Sequence, residues 1–173
     1  WGLDAGLARQ RHFPAINWLS SYSLYPQALD QWYRDNIASD FPEVRTEIST
    51  LLQVEAELQE IVQLVGSDAL PIDQQLTLEV ARMIREFFLQ QNAFHDVDTY
   101  SDLKLQYDMA RAILSFQEEA KKAIAGGAQL EDVVNVPART DLMRGRFEKG
   151  YNEKIGELVS EMGKQISSSM EAN

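Results

Sequence analysis

The chain has 173 residues, 45% apolar and 25% charged, which is enough for one domain with a real core and too balanced for disorder. Its formal net charge of −11 excludes the basic face that a nucleic-acid backbone or an anionic lipid surface demands. It has no cysteine, hence neither a disulfide framework nor a thiolate metal site, a composition compatible with the cytoplasm. No apolar run approaches the ~20 residues of a spanning helix.

The chain opens on Trp1 without a signal peptide, so we expect it to continue a longer polypeptide. The run from Arg11 to Tyr25 gathers Phe13, Trp18, Tyr22 and Tyr25 around Pro14 and several hydroxyls, with neither a helical nor a strand period. Pro14 lacks an N–H and pushes Phe13 towards extended geometry, so this stretch is an irregular segment. Rings on such a backbone either plug a core or form a wall for a planar ligand. Pro26 to Tyr33 reads as a short helix with its proline in the first turn.

Pro42 opens a long helix, with Glu43 at its positive end. Val44, Ile48, Leu51, Val54, Leu58, Ile61 and Val65 recur in steps of three or four and form one apolar stripe, leaving Glu47, Glu57 and Glu60 outside it. Gly66 stops that helix. After the tight connection Ser67–Leu70, Pro71 suits a first helical position, and Leu76, Val80, Met83, Ile84 and Phe87 form the buried face of the returning helix. Two long amphipathic helices joined so briefly pack antiparallel, as a hairpin within a small bundle.

Gln90 to Asp98 is polar and aperiodic, a break. Thr99 or Ser101 is expected to cap the next helix, which carries Leu103, Tyr107, Ala110, Ile113, Leu114 and Phe116 and ends at Gly126-Gly127. A short loop region leads to Pro137. The last helix carries Phe147, Tyr151, Ile155, Leu158, Met162 and Ile166, and Ser167-Ser168-Ser169 should fray. No segment reads with confidence as a strand, and no repeat of fixed period appears, so the fold class is all-α.

Enzyme chemistry is largely missing. There is no Gly-x-x-x-x-Gly-Lys-Ser/Thr and no Glu-x-x-His. His12 and His95 lie far apart. The run His95-Asp96-Val97-Asp98 offers metal-ligand types, but helix entry, with acids near a positive helix end, is the preferred reading, and no metal is expected there. No serine is paired with its own base. The two irregular runs share one character: each sets an aromatic ring beside small or amide side chains. Purines are bound in this way, with rings stacking on the base and amides or backbone groups meeting its edge. Spacing alone favours reading Phe13 and Phe94 as ordinary core plugs.

The run Leu7-Ala8-Arg9-Gln10-Arg11-His12-Phe13-Pro14-Ala15-Ile16-Asn17-Trp18-Leu19-Ser20-Ser21-Tyr22-Ser23 closely resembles the catalytic A subunit of archaeal and vacuolar-type rotary ATPases. The run from Leu76 to Asp98, including Phe87-Phe88-Leu89-Gln90-Gln91-Asn92-Ala93-Phe94-His95-Asp96, is similar to the C-terminal helical domain of the same protein. The stretch between these runs and the helix after Thr99 fit in length and pattern only. One departure is Gln10, where the family often has a first of two arginines.

The resemblance implies a division into a terminal piece of the nucleotide-binding domain, residues 1–25, and a C-terminal α-helical domain, residues 26–173. It implies that Phe13 packs on the adenine, that Phe94 closes the other side, and that Pro14, Gln91, Asn92 and Ala93 line the pocket. It places the turn containing Gly66, Ser67, Asp68, Leu70 and Asp73 against the central stalk. Only Asp68 and Asp73 are acids there, so a steric push by Leu70 and its neighbours is expected instead of a charge contact. ATP or ADP with magnesium would belong to the larger parent protein, not to this chain alone, because the phosphate loop, magnesium-binding acid and catalytic glutamate lie upstream in that family. Implied partners are the central-stalk subunits and the non-catalytic B subunit, at the cytoplasmic face of a membrane-bound complex, without membrane insertion. The rival reading is a free-standing acidic helical adaptor that grips a basic partner helix.

Overall fold

The computed structural model describes residues 1–171, and the fold is all-α apart from one two-stranded ribbon. Strands β1 (Gly2–Leu3) and β2 (Ile16–Asn17) pair antiparallel, Gly2 opposite Asn17 and Leu3 opposite Ile16, around the short helix α1 (Ala5–Arg9). This ribbon, too short to show a period, is where the sequence signalled no strand.

Helix α2 (Pro26–Asn36) begins on its proline, and α3 (Phe41–Val65) has Pro42 and Glu43 in its first turn, where a missing N–H costs nothing and an acid meets the helix dipole. The stripe of α3 buries Val44, Ile48, Leu51 and Leu58 as expected, together with Leu52 and Glu55. Val54, Ile61 and Val65 are instead exposed: Val54 lies at the edge of the stripe, between buried Leu52 and Glu55, and Ile61 and Val65 lie past Leu58, the last buried residue of α3. Gly66 ends the helix at φ 84°, ψ 156°, a conformation essentially reserved for glycine.

A single 3-10 turn, Ser67–Ala69, leads to α4 (Ile72–Met83), which packs against α3 as the second arm of the hairpin. Pro71 lies just before the first helical residue, not within it. Leu76, Val80, Met83, Ile84 and Phe87 are all buried. Helix α4 runs on into a π-helical turn, Ile84–Leu89, closed by the bond from Gln90 N–H to the Arg85 carbonyl at 2.9 Å.

Helix α5 (Leu103–Ala125) is the axis of the bundle, with Ile113, Leu114, Phe116 and Ala120 fully buried. Its cap is Asp102, whose carboxylate accepts the Leu105 N–H at 2.7 Å; neither Thr99 nor Ser101 takes that role, since only Asp102 has the extended backbone one residue before the helix. The region to Pro137 is not a plain loop but holds α6 (Leu130–Val134), and α7 (Pro137–Gly145) follows.

The last helix, α8, starts at Tyr151 and reaches Glu171, so Phe147 belongs to the linker before it, which Gly150 turns at φ +73°. Ser167, Ser168 and Ser169 stay helical: Ile166 is buried beside them, and Ser168 Oγ and Ser169 Oγ donate to the Lys164 and Ile166 carbonyls at 3.0 and 2.6 Å. Helix α8 lies along α5 and α7. Tyr151 seals that corner. Its ring covers Gly145, where a Cβ would sit 1.7 Å from a ring carbon, and its hydroxyl donates to the Leu142 carbonyl at 2.6 Å. Burial pushes that hydroxyl above its usual pKa. Among the described residues no helix is long and apolar enough to cross a membrane.

Candidate functional site

The two irregular runs meet. Gln91 N–H donates to the Phe13 carbonyl at 2.6 Å, so the segment around Phe13 lies along the exit of the π-helical turn. The ribbon positions the first run. Asp4 caps α1 by accepting the Gly6 and Leu7 N–H groups at 2.7 and 3.2 Å, and it also accepts from Asn17 Nδ2 at 2.9 Å. The Asn17 bond, followed by the two backbone bonds, holds the Asp4 carboxyl below its ordinary range. Asn17 Oδ1 then accepts the Leu19 and Ser20 N–H groups, each at 2.9 Å, which turns the chain away. Between these anchors Arg11 adopts φ 58° and the Phe13–Pro14 peptide bond is cis. Phe13 is half exposed, and Pro14 is partly buried.

The second run is held by buried charge. Asp98, 8% exposed, accepts the Asn92 N–H at 2.5 Å and faces the Arg146 Nε at 3.8 Å. The Arg146 guanidinium donates to the Glu86 and Gln90 carbonyls at 2.5 and 2.7 Å and lies over the Phe147 ring. Burial opposes the charge on Arg146, and Asp98 does most to retain it. Within the loop, Gln91 Nε2 donates to the Asp98 carbonyl at 3.2 Å, Thr99 Oγ1 to the Ala93 carbonyl at 3.2 Å, and Phe94 N–H to Asn92 Oδ1 at 3.0 Å.

The outcome is specific. Gln91 and Ala93 use polar groups inside the loop, and Asn92 uses its side-chain oxygen there, while the Phe94 ring stands 99% exposed. Phe94 is not a core plug. One N–H of the Gln91 amide is engaged by the Asp98 carbonyl, and the amide has a second N–H beside it. The His95–Asp98 run builds the loop too: His95 Nδ1 accepts the Val97 and Asp98 N–H groups at 3.2 and 3.4 Å, and its ring packs edge-on against Phe147. Helix α5 starts further on, so these acids are not a helix start. Among the described residues no cluster of three metal-ligating side chains occurs.

At the hairpin tip, Gly66, Ser67, Asp68 and Asp73 are exposed. Leu70 is not. It is 7% exposed, with its carbonyl held by Gln75 Nε2 at 2.8 Å, so it braces the turn from within. The apolar groups offered outward are Leu64, Val65 and Ile72.

Sequence reasoning missed Arg146, Glu55 and Arg85, and it noted Asp98 without its role in holding the loop. Glu55 carried a signal: it sits four residues after Leu51 and three before Leu58, on the buried stripe, where a charge needs a partner. The partner is Arg85, whose Nη2 lies 2.9 Å from Glu55 Oε1. Burial raises the Glu55 carboxyl while Arg85 acts to lower it.

With this geometry in hand, comparison with known proteins identifies the bundle. Residues 30–134, more than half of the chain, match the family described as the C-terminal domain of V and A type ATP synthase. The A subunit of the A-type ATP synthase from Natronomonas pharaonis is 54% identical over 166 residues, 96% of this chain and 28% of that protein. Its counterpart of the same name from Methanosarcina barkeri is 47% identical over 168 residues, 97% of this chain and 29% of its own. The V-type ATP synthase alpha chain 1 of Clostridium tetani is 48% identical over 171 residues, 99% and 28%. The chain thus spans less than a third of the length of these relatives. It belongs to the family of C-terminal domains of V- and A-type ATP synthases.

Proposed function

We propose that this chain serves as the C-terminal helical domain of the catalytic A subunit in an archaeal or vacuolar-type rotary ATP synthase, with residues 1–25 continuing the nucleotide-binding domain. Phe13 and Phe94 supply aromatic surface to the adenine. The hairpin α3–α4 carries nucleotide-driven movement of the domain to the central stalk, coupling ATP synthesis or hydrolysis to ion transport. The assembly includes the stalk and the B subunit, and the domain is a peripheral part of it at the cytoplasmic face of the membrane.

The observation that carries this reading is the Phe94 ring, fully exposed on a loop whose polar groups are turned inward. A large apolar ring held out on a rigid loop is uncovered surface suited to a flat partner. The backbone bond from Gln91 to Phe13 puts the second ring's segment on the same side of the fold. The phosphates of ATP have no Gly-x-x-x-x-Gly-Lys-Ser/Thr here, so the chain alone binds ATP weakly and does not turn it over.

The test is Phe94→Ala in the full-length subunit. Loss of one stacking face raises the ATP Kd about 3- to 10-fold. An unchanged Kd, or sub-micromolar ATP binding by this chain alone, removes the reading.

A further inference from the structure

Phe13 is half exposed, so packing does not hold its ring in one place; the backbone must do so. One bond, from Gln91 N–H to the Phe13 carbonyl, acts as a pivot. A second contact, one residue earlier, would stop rotation about it, and His12 makes that contact. Its Nε2 lies 3.1 Å from the Arg85 carbonyl in the π-helical turn, and its Nδ1 lies 3.4 Å from the Pro14 carbonyl.

Both partners are acceptors, so the ring must donate. A neutral imidazole has one N–H, and the shorter contact, to Arg85, takes it. The imidazole also packs against Trp18, with ring centroids 5.6 Å apart, and Trp18 packs on the core. The Arg85 carbonyl sits at the start of the π turn, where it already receives the Gln90 N–H, and its second lone pair remains for such a donor. The guanidinium of the same Arg85 grips Glu55 on α3. One residue of the π turn thus touches the wall segment with its backbone and the lever arm with its side chain.

We propose that His12 is a positioning residue for the adenine wall: by donating from Nε2 to the Arg85 carbonyl it locks the Phe13 segment to the π turn that also anchors α3. This rests on the reading of Phe13 as an adenine contact, and the experiment separates the two. In the assembled enzyme carrying the full-length subunit, ATP KM and kcat are measured for Phe13→Ala, His12→Gln, His12→Asn and His12→Ala. The amide nitrogen of Gln reaches the Nε2 position, whereas that of Asn reaches only Nδ1.

His12→Asn and His12→Ala are expected to raise KM about 2- to 10-fold, the worth of one hydrogen bond, with kcat within about 2-fold of the parent. His12→Gln restores KM. The double variant His12→Asn with Phe13→Ala is no worse than Phe13→Ala alone. If Phe13→Ala raises KM while His12→Asn does not, the positioning role is overturned and the adenine reading stands. Should Gln fail where Asn fails, or the double variant be additive, His12 is merely structural and the inference falls. If Phe13→Ala itself leaves KM unchanged, the adenine reading falls and takes this inference with it. His12→Gln and His12→Asn are compared at matched assembly and melting temperature, and if His12→Asn alone fails to assemble, His12→Ala takes its place in the same comparison.

Discussion

At the α5–α7–α8 end, charged and polar side chains are committed to the fold, whereas at the hairpin tip the apolar side chains of Leu64, Val65 and Ile72 stand exposed in this chain. Arg139, 6% exposed, donates to Glu79 and to the Val134 carbonyl, both at 2.6 Å, and lies over the Phe116 ring. Leu64, 85% exposed, meets nothing comparable. The contrast separates two duties along one helical bundle. One end is built to be rigid, because burying a charge is tolerable only when its partners are fixed. The other end leaves apolar surface exposed. The two are joined by α3 and α4, which are anchored in the core at one end and free at the other.

That contrast can be broken at its rigid end first. Arg139→Ala leaves Glu79 with Arg82 as its remaining partner, uncaps the Val134 carbonyl and empties the space beside Phe116, and should cost about 2 kcal/mol in denaturant unfolding. A loss below about 1 kcal/mol would mean that this end is far less committed than its contacts imply. At the tip, Leu64→Ser with Ile72→Ser should change stability by less than about 0.5 kcal/mol, since neither side chain is buried by the fold. The same pair should slow ATP-driven rotation in the assembled enzyme; an undiminished rate would assign the tip no role in the push.

The smallest effect is expected in the ribbon. The Asp4 carboxyl titrates below its ordinary value of 3.8 in the folded chain, so the unfolded chain takes up the proton first as pH falls. Its stabilising contribution is complete above that value and is lost as pH drops through the lower, folded pKa. Asp4→Asn should therefore flatten the acid limb of the stability profile without moving its neutral plateau far. An unaltered acid limb would show that the ribbon does not depend on this carboxylate.

The hairpin was legible in the sequence because long helices repeat their apolar pattern often enough to be read, and Gly66 and Pro71 mark the turn between them. The pattern could not show where cover ends, so Val54, Ile61 and Val65 looked like core. Helices α6 and α7 were lost for the opposite reason: 5 and 9 residues are too few to display a period. Thr99, Ser101 and Asp102 are all good caps, and the choice among them depends on how the preceding loop is held by Asp98 and Arg146, which is tertiary.

The site was legible only as irregularity. Pro14 and the polar stretch after Gln90 showed that two runs leave regular structure, but the contacts that join them all end on backbone carbonyls, of Phe13, Arg11 and Arg85, which every sequence has. The burial of Leu70 was not legible, because an apolar residue in a turn reads equally as a protrusion or as a plug.

Gly66 is surrounded by open space: a Cβ added there would meet no atom within 4 Å. By the usual reckoning a surface position with such room should accept any residue. Its backbone angles forbid that, since φ 84° with ψ 156° admits glycine almost alone. In a survey of all substitutions along the chain, Gly66 should stand out as an exposed position that behaves like a core one. Its intolerance would appear in the angle between the two arms, and so in the reach of the tip, before it appeared in the melting of the bundle.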